Sequence, residues 1–135
     1  MAVEARPMTS EAIKRAHDPG NHRAVILIVD DDPEVQDIVA EFLADFGHDV
    51  LRASGGLEAI TLIGDHPDLD LVITDVRMPD ISGIELAETA TQQRPGLKII
   101  LISGYFVSQQ VGWRVLRKPF RMQELEQAVR DELAH

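Results

Sequence analysis

Four short segments of this chain carry side chains suited to handling a phosphoryl group. The apolar run 25–29 leads into Asp30-Asp31-Asp32, and the run 69–74 leads into Asp75, followed by Val76-Arg77-Met78-Pro79-Asp80. The run 98–102 leads into Ser103-Gly104, and Val115-Leu116 is followed by Arg117-Lys118-Pro119-Phe120. Carboxylates crowded together raise one another's pKa, and a hard dication relieves that crowding. Oxygen ligands with no His or Cys among them select Mg²⁺, which keeps several waters and can take a phosphoryl oxygen. A serine hydroxyl can hydrogen-bond such an oxygen, with Gly104 leaving room beside it. Lysine supplies a point charge to neutralise it. Only three lysines occur, against ten arginines, so Lys118 after an apolar run is a specific feature. Singly, each residue has a plainer explanation. Asp32 suits a helix N-cap better than a ligand, Asp30 alone could be a solvated strand end, Ser103 a turn residue, and Lys118 a surface cation before a helix. Together they compose a site for phosphoryl chemistry.

Such a convergence requires strands whose carboxyl ends lie side by side. Apolar runs at 25–29, 50–53, 69–74, 98–102 and 115–116 alternate with helical patterns. The first, third and fourth are nearly continuous Val, Ile and Leu, as strands buried on both faces require. The second and fifth are shorter and flanked or interrupted by Arg52, Arg114 and Arg117, which suits sheet edges. Val35, Ile38, Val39, Phe42, Leu43 and Phe46 form an apolar stripe at helical spacing. Asp32 is its N-cap, Pro33 its first residue and Gly47 its stop. Further helices are expected over 57–63, over 84–93 after a Ser82 cap, and over 121–133, where Met122, Leu125, Val129 and Leu133 face inward. This alternation predicts an α/β sandwich with parallel strands and crossover helices, whose ligands bind beyond the carboxyl ends of the strands. Pro119 suggests a constrained turn, with a cis bond one way to build it.

Composition narrows the rest. The 135 residues suit one domain. A formal net charge of -10 disfavours binding to DNA or to an anionic membrane surface. The first 23 residues hold three acids and four bases, which leaves -11 on the remainder. They read as a flexible tail: residues 9–16 are too short for an isolated helix, and Asp18-Pro19-Gly20-Asn21 is a turn signal. The absence of cysteine rules out disulfides and thiolate chemistry. No apolar run reaches membrane-spanning length, and no secretory signal is recognisable, so a cytoplasmic chain is expected. The five histidines do not cluster at ligand spacing, and no four-helix pattern presents one for phosphotransfer.

Val25-Ile26-Leu27-Ile28-Val29-Asp30-Asp31-Asp32-Pro33, Asp75 with Met78-Pro79-Asp80-Ile81-Ser82-Gly83, Ile102-Ser103-Gly104 and Lys118-Pro119-Phe120, in that order, resemble a response-regulator receiver domain of two-component signalling. The resemblance spans about residues 24–134. It implies a flavodoxin-like three-layer sandwich with a five-stranded parallel sheet in the order 2-1-3-4-5, the order the family is known for. It implies a phosphoryl group transferred onto Asp75 from a histidine kinase or histidine phosphotransfer protein. Mg²⁺ would be held by Asp30, Asp31, Asp75 and the Arg77 backbone carbonyl, while Ser103 and Lys118 would contact the phosphoryl group. Arg77 and Tyr105 would flank the path of the attacking water and slow hydrolysis. Such a domain is a signalling phosphoacceptor rather than an enzyme. The output partner and a homodimer are left open.

The chain departs from the family pattern in its fourth crossover. Only residues 103–114 separate Ile102 from Val115, barely the dozen a parallel crossover needs, and Gly104 and Gly112 weaken any helix there. The helix of that crossover is therefore expected to be short or absent, as in receivers that are stand-alone or attached to hybrid kinases. The aromatic switch position, three before the lysine, is Val115, with Trp113 and Tyr105 nearby. Three alternatives compete with this reading. One is a phosphorylation-independent scaffold, and one is an aspartate-nucleophile phosphatase of the haloacid-dehalogenase type, which would carry its nucleophile after the first strand. The last is a flavodoxin-like cofactor binder, which would need a phosphate-cradling loop where this chain has Asp30-Asp31-Asp32.

Overall fold

The apolar runs form strands and the stripes form helices. A computed structural model describes residues 23–104 and 112–134. In chain order it has β1 (Val25–Val29), α1 (Pro33–Asp45), β2 (Asp49–Ala53), α2 (Gly56–Asp65), β3 (Leu71–Asp75), α3 (Gly83–Gln93), β4 (Lys98–Ser103), β5 (Arg114–Arg117) and α4 (Met122–Leu133). All strand pairs are parallel, in the order β2-β1-β3-β4-β5. The short runs bearing Arg52, Arg114 and Arg117 lie at the edges, as expected.

Successive strand side chains point to opposite faces, so the continuous runs feed two cores. Leu27, Val29, Val72, Ile99 and Leu101 pack with Ala59 and Ile63 of α2 and with Leu86, Ala87 and Ala90 of α3. Ile26, Ile28, Leu71, Ile73, Ile100 and Ile102 pack with Val39 and Leu43 of α1 and with Leu125, Ala128 and Val129 of α4. The result is the expected three-layer sandwich.

Local signals set the helix ends. The Asp32 side chain accepts from Glu34 N at 3.0 Å, Pro33 opens α1, and Gly47 follows its end with φ 92°. Ser82 and Glu85 form a reciprocal capping box at the start of α3. One expectation about α1 is corrected. Ile38 and Phe46 are 58% and 48% exposed, because the buried face of the helix runs through Gln36, Val39, Ala40 and Leu43. Spacing identified the stripe, but its centre lies toward Gln36.

Residues 1–22, 105–111 and 135 lie outside the described part. The flexible tail, the short or absent helix of the fourth crossover and the role given to Tyr105 fall there. Arg23 is described and pairs with Asp49 at 2.6 Å. Trp113 and Val115 are half-buried against the α2/α3 core. Among the described residues, no helix is long and apolar enough to cross a membrane.

Candidate functional site

The strand register brings the singled-out residues to one edge of the sheet. Val29 pairs with Ala53 on one side and with Thr74 on the other, so Asp30 and Asp75 emerge from neighbouring strand ends. One carboxylate oxygen each from Asp30, Asp31 and Asp75 lies within 4.8 Å of the others. On the far side of β3, Asp75 pairs with Ile102 and Ser103 pairs with Arg117. The Lys118 backbone N–H donates to the Ser103 carbonyl at 2.8 Å. The Lys118 ammonium thereby comes within 3.5 Å of Asp75 Oδ2. The Lys118–Pro119 bond is cis, in keeping with the constrained turn read from the sequence. Ser103 is buried at its strand end. Arg77, two residues past Asp75, lines a shallow pocket with Asp31, Val76, Met78, Pro79 and Ser82.

The three carboxylates stand in different surroundings. Asp30 is only 6% exposed. Burial holds its carboxyl above the ordinary carboxylate range. A hydrogen bond from Asp32 N, at 2.8 Å, opposes this; the Asp75 charge adds to it, Lys118 works against it, and Asp31 adds a smaller push. Asp31 is exposed, and Asp75 lies between the two in accessibility. Asp32 is turned to capping α1 and is not part of the cluster. A crowded, partly buried set of oxygen ligands, without nitrogen or sulfur, fits a hard dication such as Mg²⁺. Crowding of this kind predicts a cost in the metal-free state. Asp30→Asn keeps the acceptor for Asp32 N and removes one charge. In metal-free buffer it is expected to stabilise the fold, since the buried charge held above its ordinary range is removed, and this is seen as a rise in Tm. An unchanged or lower Tm would show that the carboxylates do not strain the fold.

The supporting roles of several residues escaped the sequence reading, which had Asp80 and Gly83 only as parts of a motif. Gln36, buried on the core face of α1, donates from Nε2 to the Asp30 carbonyl at 3.0 Å and to the Ala53 carbonyl at 2.8 Å. It ties the ends of β1 and β2 together beneath the acidic cluster, and a polar residue on the buried stripe was its available signal. Thr74 is fully buried and donates to the Asp75 carbonyl at 2.9 Å. Gly83 lies against that same peptide: a Cβ there would meet Asp75 O at 2.3 Å. Asp80 accepts from the backbone N–H groups of Gly56 at 3.2 Å, Leu57 at 2.9 Å and Ile81 at 2.7 Å.

Comparison with known proteins agrees with this geometry. The response regulator receiver domain family matches residues 26–130. The response regulator receiver protein CpdR of Brucella abortus is 32% identical over 107 residues, covering 74% of this chain and 88% of that protein. The crystal structure of the receiver domain of hybrid histidine kinase CckA has a TM-score of 0.74 at 32% identity, covering 82% of this chain and 99% of that one. Response regulator TrrA of Thermotoga maritima, solved in complex with Mg²⁺ and BeF, has a TM-score of 0.75 at 32% identity, over 81% of this chain and 98% of that one. Two other relatives are longer transcriptional regulators, of which this chain spans 26% and 23%. Fold order, acidic cluster and family match agree: the chain belongs to the response regulator receiver domain family of two-component signalling.

Proposed function

We propose that this chain takes a phosphoryl group from a phosphohistidine donor onto Asp75 and thereby switches its binding to an output protein. Receiver domains are signalling phosphoacceptors, generally not classed as enzymes, that bind Mg²⁺ at their acidic pocket and interact with histidine kinases or phosphotransfer proteins. The observation that carries the reading for this chain is the meeting of Asp30, Asp31 and Asp75 with Lys118 on the Asp75 carboxylate. A carboxylate oxygen of Asp75 attacks phosphorus, the bond to the donor imidazole breaks, and the leaving nitrogen keeps the electron pair. Lys118 neutralises charge on the transferred group, and Ser103 donates its hydroxyl to it. Asp30, Asp31, Asp75 and the Arg77 carbonyl would hold Mg²⁺, which supplies further charge neutralisation.

An apolar groove lined by Val35, Ile38, Val39, Pro119, Phe120 and Met122 adjoins Lys118. We assign it to the docking face of the donor, because a phosphohistidine must approach Asp75 closely and this surface lies alongside. The exposure of Ile38, which costs solvation in the free chain, fits that use. A kinase or phosphotransfer protein as donor goes with a cytoplasmic chain, with residues 24–135 as the receiver and residues 1–23 as its N-terminal extension.

The direct test is intact mass after incubation with acetyl phosphate and Mg²⁺. One added phosphoryl group per chain is expected, and none when Mg²⁺ is chelated; no gain in either condition would sink the proposal. Assignment of the acid pair is tested separately by titration with Mg²⁺. Asp31→Ala is expected to weaken binding about tenfold or more, or at least ~1.4 kcal/mol. Asp32→Ala is expected to cost about 1 kcal/mol of stability through the lost cap while leaving Mg²⁺ affinity nearly unchanged. Equal losses of affinity would mean that ligand and cap have been confused.

A further inference from the structure

The helix α2 begins without a cap of its own. Its N-cap residue is Gly55, which has no side chain to accept the free N–H groups of the first turn. Asp80 supplies the missing acceptor from a distant part of the chain. It lies 24 residues further along, in the connection from β3 to α3. Its Oδ1 accepts from Gly56 N at 3.2 Å and its Oδ2 from Leu57 N at 2.9 Å. Oδ1 also accepts from Ile81 N at 2.7 Å, which pins the carboxylate to its own loop. The positive end of the α2 dipole adds to the attraction. These donors hold the Asp80 carboxyl below the ordinary carboxylate range, with Leu57 N the largest cause and Ile81 N next. The junction is close-packed: a Cβ on Gly55 would meet Asp80 Oδ2 at 2.8 Å, and one on Gly56 would meet Ile81 Cγ1 at 2.3 Å. Both glycines therefore let the loop rest directly on the start of α2.

The loop held in this way is the one that leaves Asp75. It carries Arg77 on the wall of the pocket shared with Asp31 and reaches Asp80 three residues later. Its two ends are fastened by Val76 N donating to the Ile102 carbonyl at 2.9 Å and by Gly83 N donating to the Val76 carbonyl at 2.8 Å. Asp80 is the fastening between them, and among the loop's described hydrogen bonds its contacts are the ones that reach α2.

We propose that Asp80 is a positioning residue that latches the β3–α3 loop to the N-terminus of α2, so that the metal site and this helix end are coupled. The inference rests on the Mg²⁺ reading given above. Coupling between two sites is reciprocal. Loss of the latch weakens metal binding, and metal binding tightens the latch.

Asp80→Ala removes all three acceptor contacts and is expected to weaken Mg²⁺ binding roughly five- to tenfold, the lower range for coupled sites. Asp80→Asn keeps one carboxamide oxygen for Gly56 N and Ile81 N and loses the acceptor for Leu57 N, so an intermediate loss is expected. It also serves if the alanine variant folds poorly. Ile63→Val in the core of α2 is the control for stability alone. It should lower Tm and leave the Mg²⁺ affinity as in the unaltered chain. The reciprocal effect is read by amide hydrogen exchange. Mg²⁺ should slow exchange at Gly56 and Leu57 in the unaltered chain and not in Asp80→Ala. If the unaltered chain binds Mg²⁺ while the Asp80 variants bind it equally well, or if Ile63→Val weakens binding as much, the latch is overturned and the metal reading stands. If the unaltered chain binds no Mg²⁺, the metal reading fails and takes the latch with it.

Discussion

Asp75→Asn is expected to abolish the gain of a phosphoryl group from acetyl phosphate and Mg²⁺, while Asp31→Asn retains a residual gain. The argument is one of position and charge. Asp30 is buried, its carboxyl is held above the ordinary range, and one of its oxygens already accepts from Asp32 N. It is poorly placed to attack phosphorus. Asp31 is exposed, and the described salt bridges include none to it. Asp75 alone of the three has the Lys118 ammonium on its carboxylate, at 3.5 Å, so charge developing on a transferred group is met there by a fixed cation. The carboxamide that Asp75→Asn introduces lacks the negative charge and nucleophilicity of the carboxylate, although its volume is nearly the same, so the fold is expected to survive. The check is intact mass alongside a thermal melt. A full gain in a well-folded Asp75→Asn chain would move the acceptor to another side chain and remove the functional role given to Lys118.

The parts of the fold that follow from local rules were readable in the residues. Continuous Val, Ile and Leu in β1, β3 and β4 mark strands covered on both faces, and the arginines of β2 and β5 mark edges; the sheet order agrees with both readings. Asp32 and Ser82 were readable as caps because capping acts over two or three residues. The acidic cluster was legible for another reason: parallel strands must deliver the residues after their carboxyl ends to a common edge. What was hidden depends on contacts between distant segments. Nothing near Asp80 in the chain indicates that it caps a helix starting 24 residues earlier. The exposure of Ile38 could not be read from spacing, since so broad an apolar stripe does not reveal which side meets the sheet. Gly83 stood in the sequence only as the end of a motif, whereas its lack of a side chain answers to the peptide of Asp75, a contact no local spacing reveals.

That close approach gives the second large prediction, in which one substitution at two glycines should have opposite signs. At Gly83 an added methyl group would lie 2.3 Å from the Asp75 carbonyl oxygen and 3.0 Å from both the Asp75 carbonyl carbon and Val76 Cα. All three are backbone atoms, so no side-chain rotation can relieve the overlap. Either α3 moves outward, losing Leu86, Ala87 and Ala90 from the α2/α3 core, or the Asp75 peptide moves and takes the cluster with it. Overpacking of this kind costs about 1–3 kcal/mol, and contact with backbone alone puts Gly83→Ala at the upper end. Gly64 is also helical, within α2, but nothing lies within 4 Å of the position its Cβ would take. There the gain in helix propensity acts alone, and Gly64→Ala is expected to stabilise by roughly 0.5–1 kcal/mol. Denaturant melts of both variants read the two signs, and phosphorylation read on the same samples separates the routes of relief. If α3 yields, Gly83→Ala loses stability but still accepts a phosphoryl group on the molecules that remain folded. If the Asp75 peptide yields, acceptance falls further than the folded fraction does. A Gly83→Ala chain as stable as the unaltered one would mean that the contact between α3 and the Asp75 peptide is looser than the distances here require.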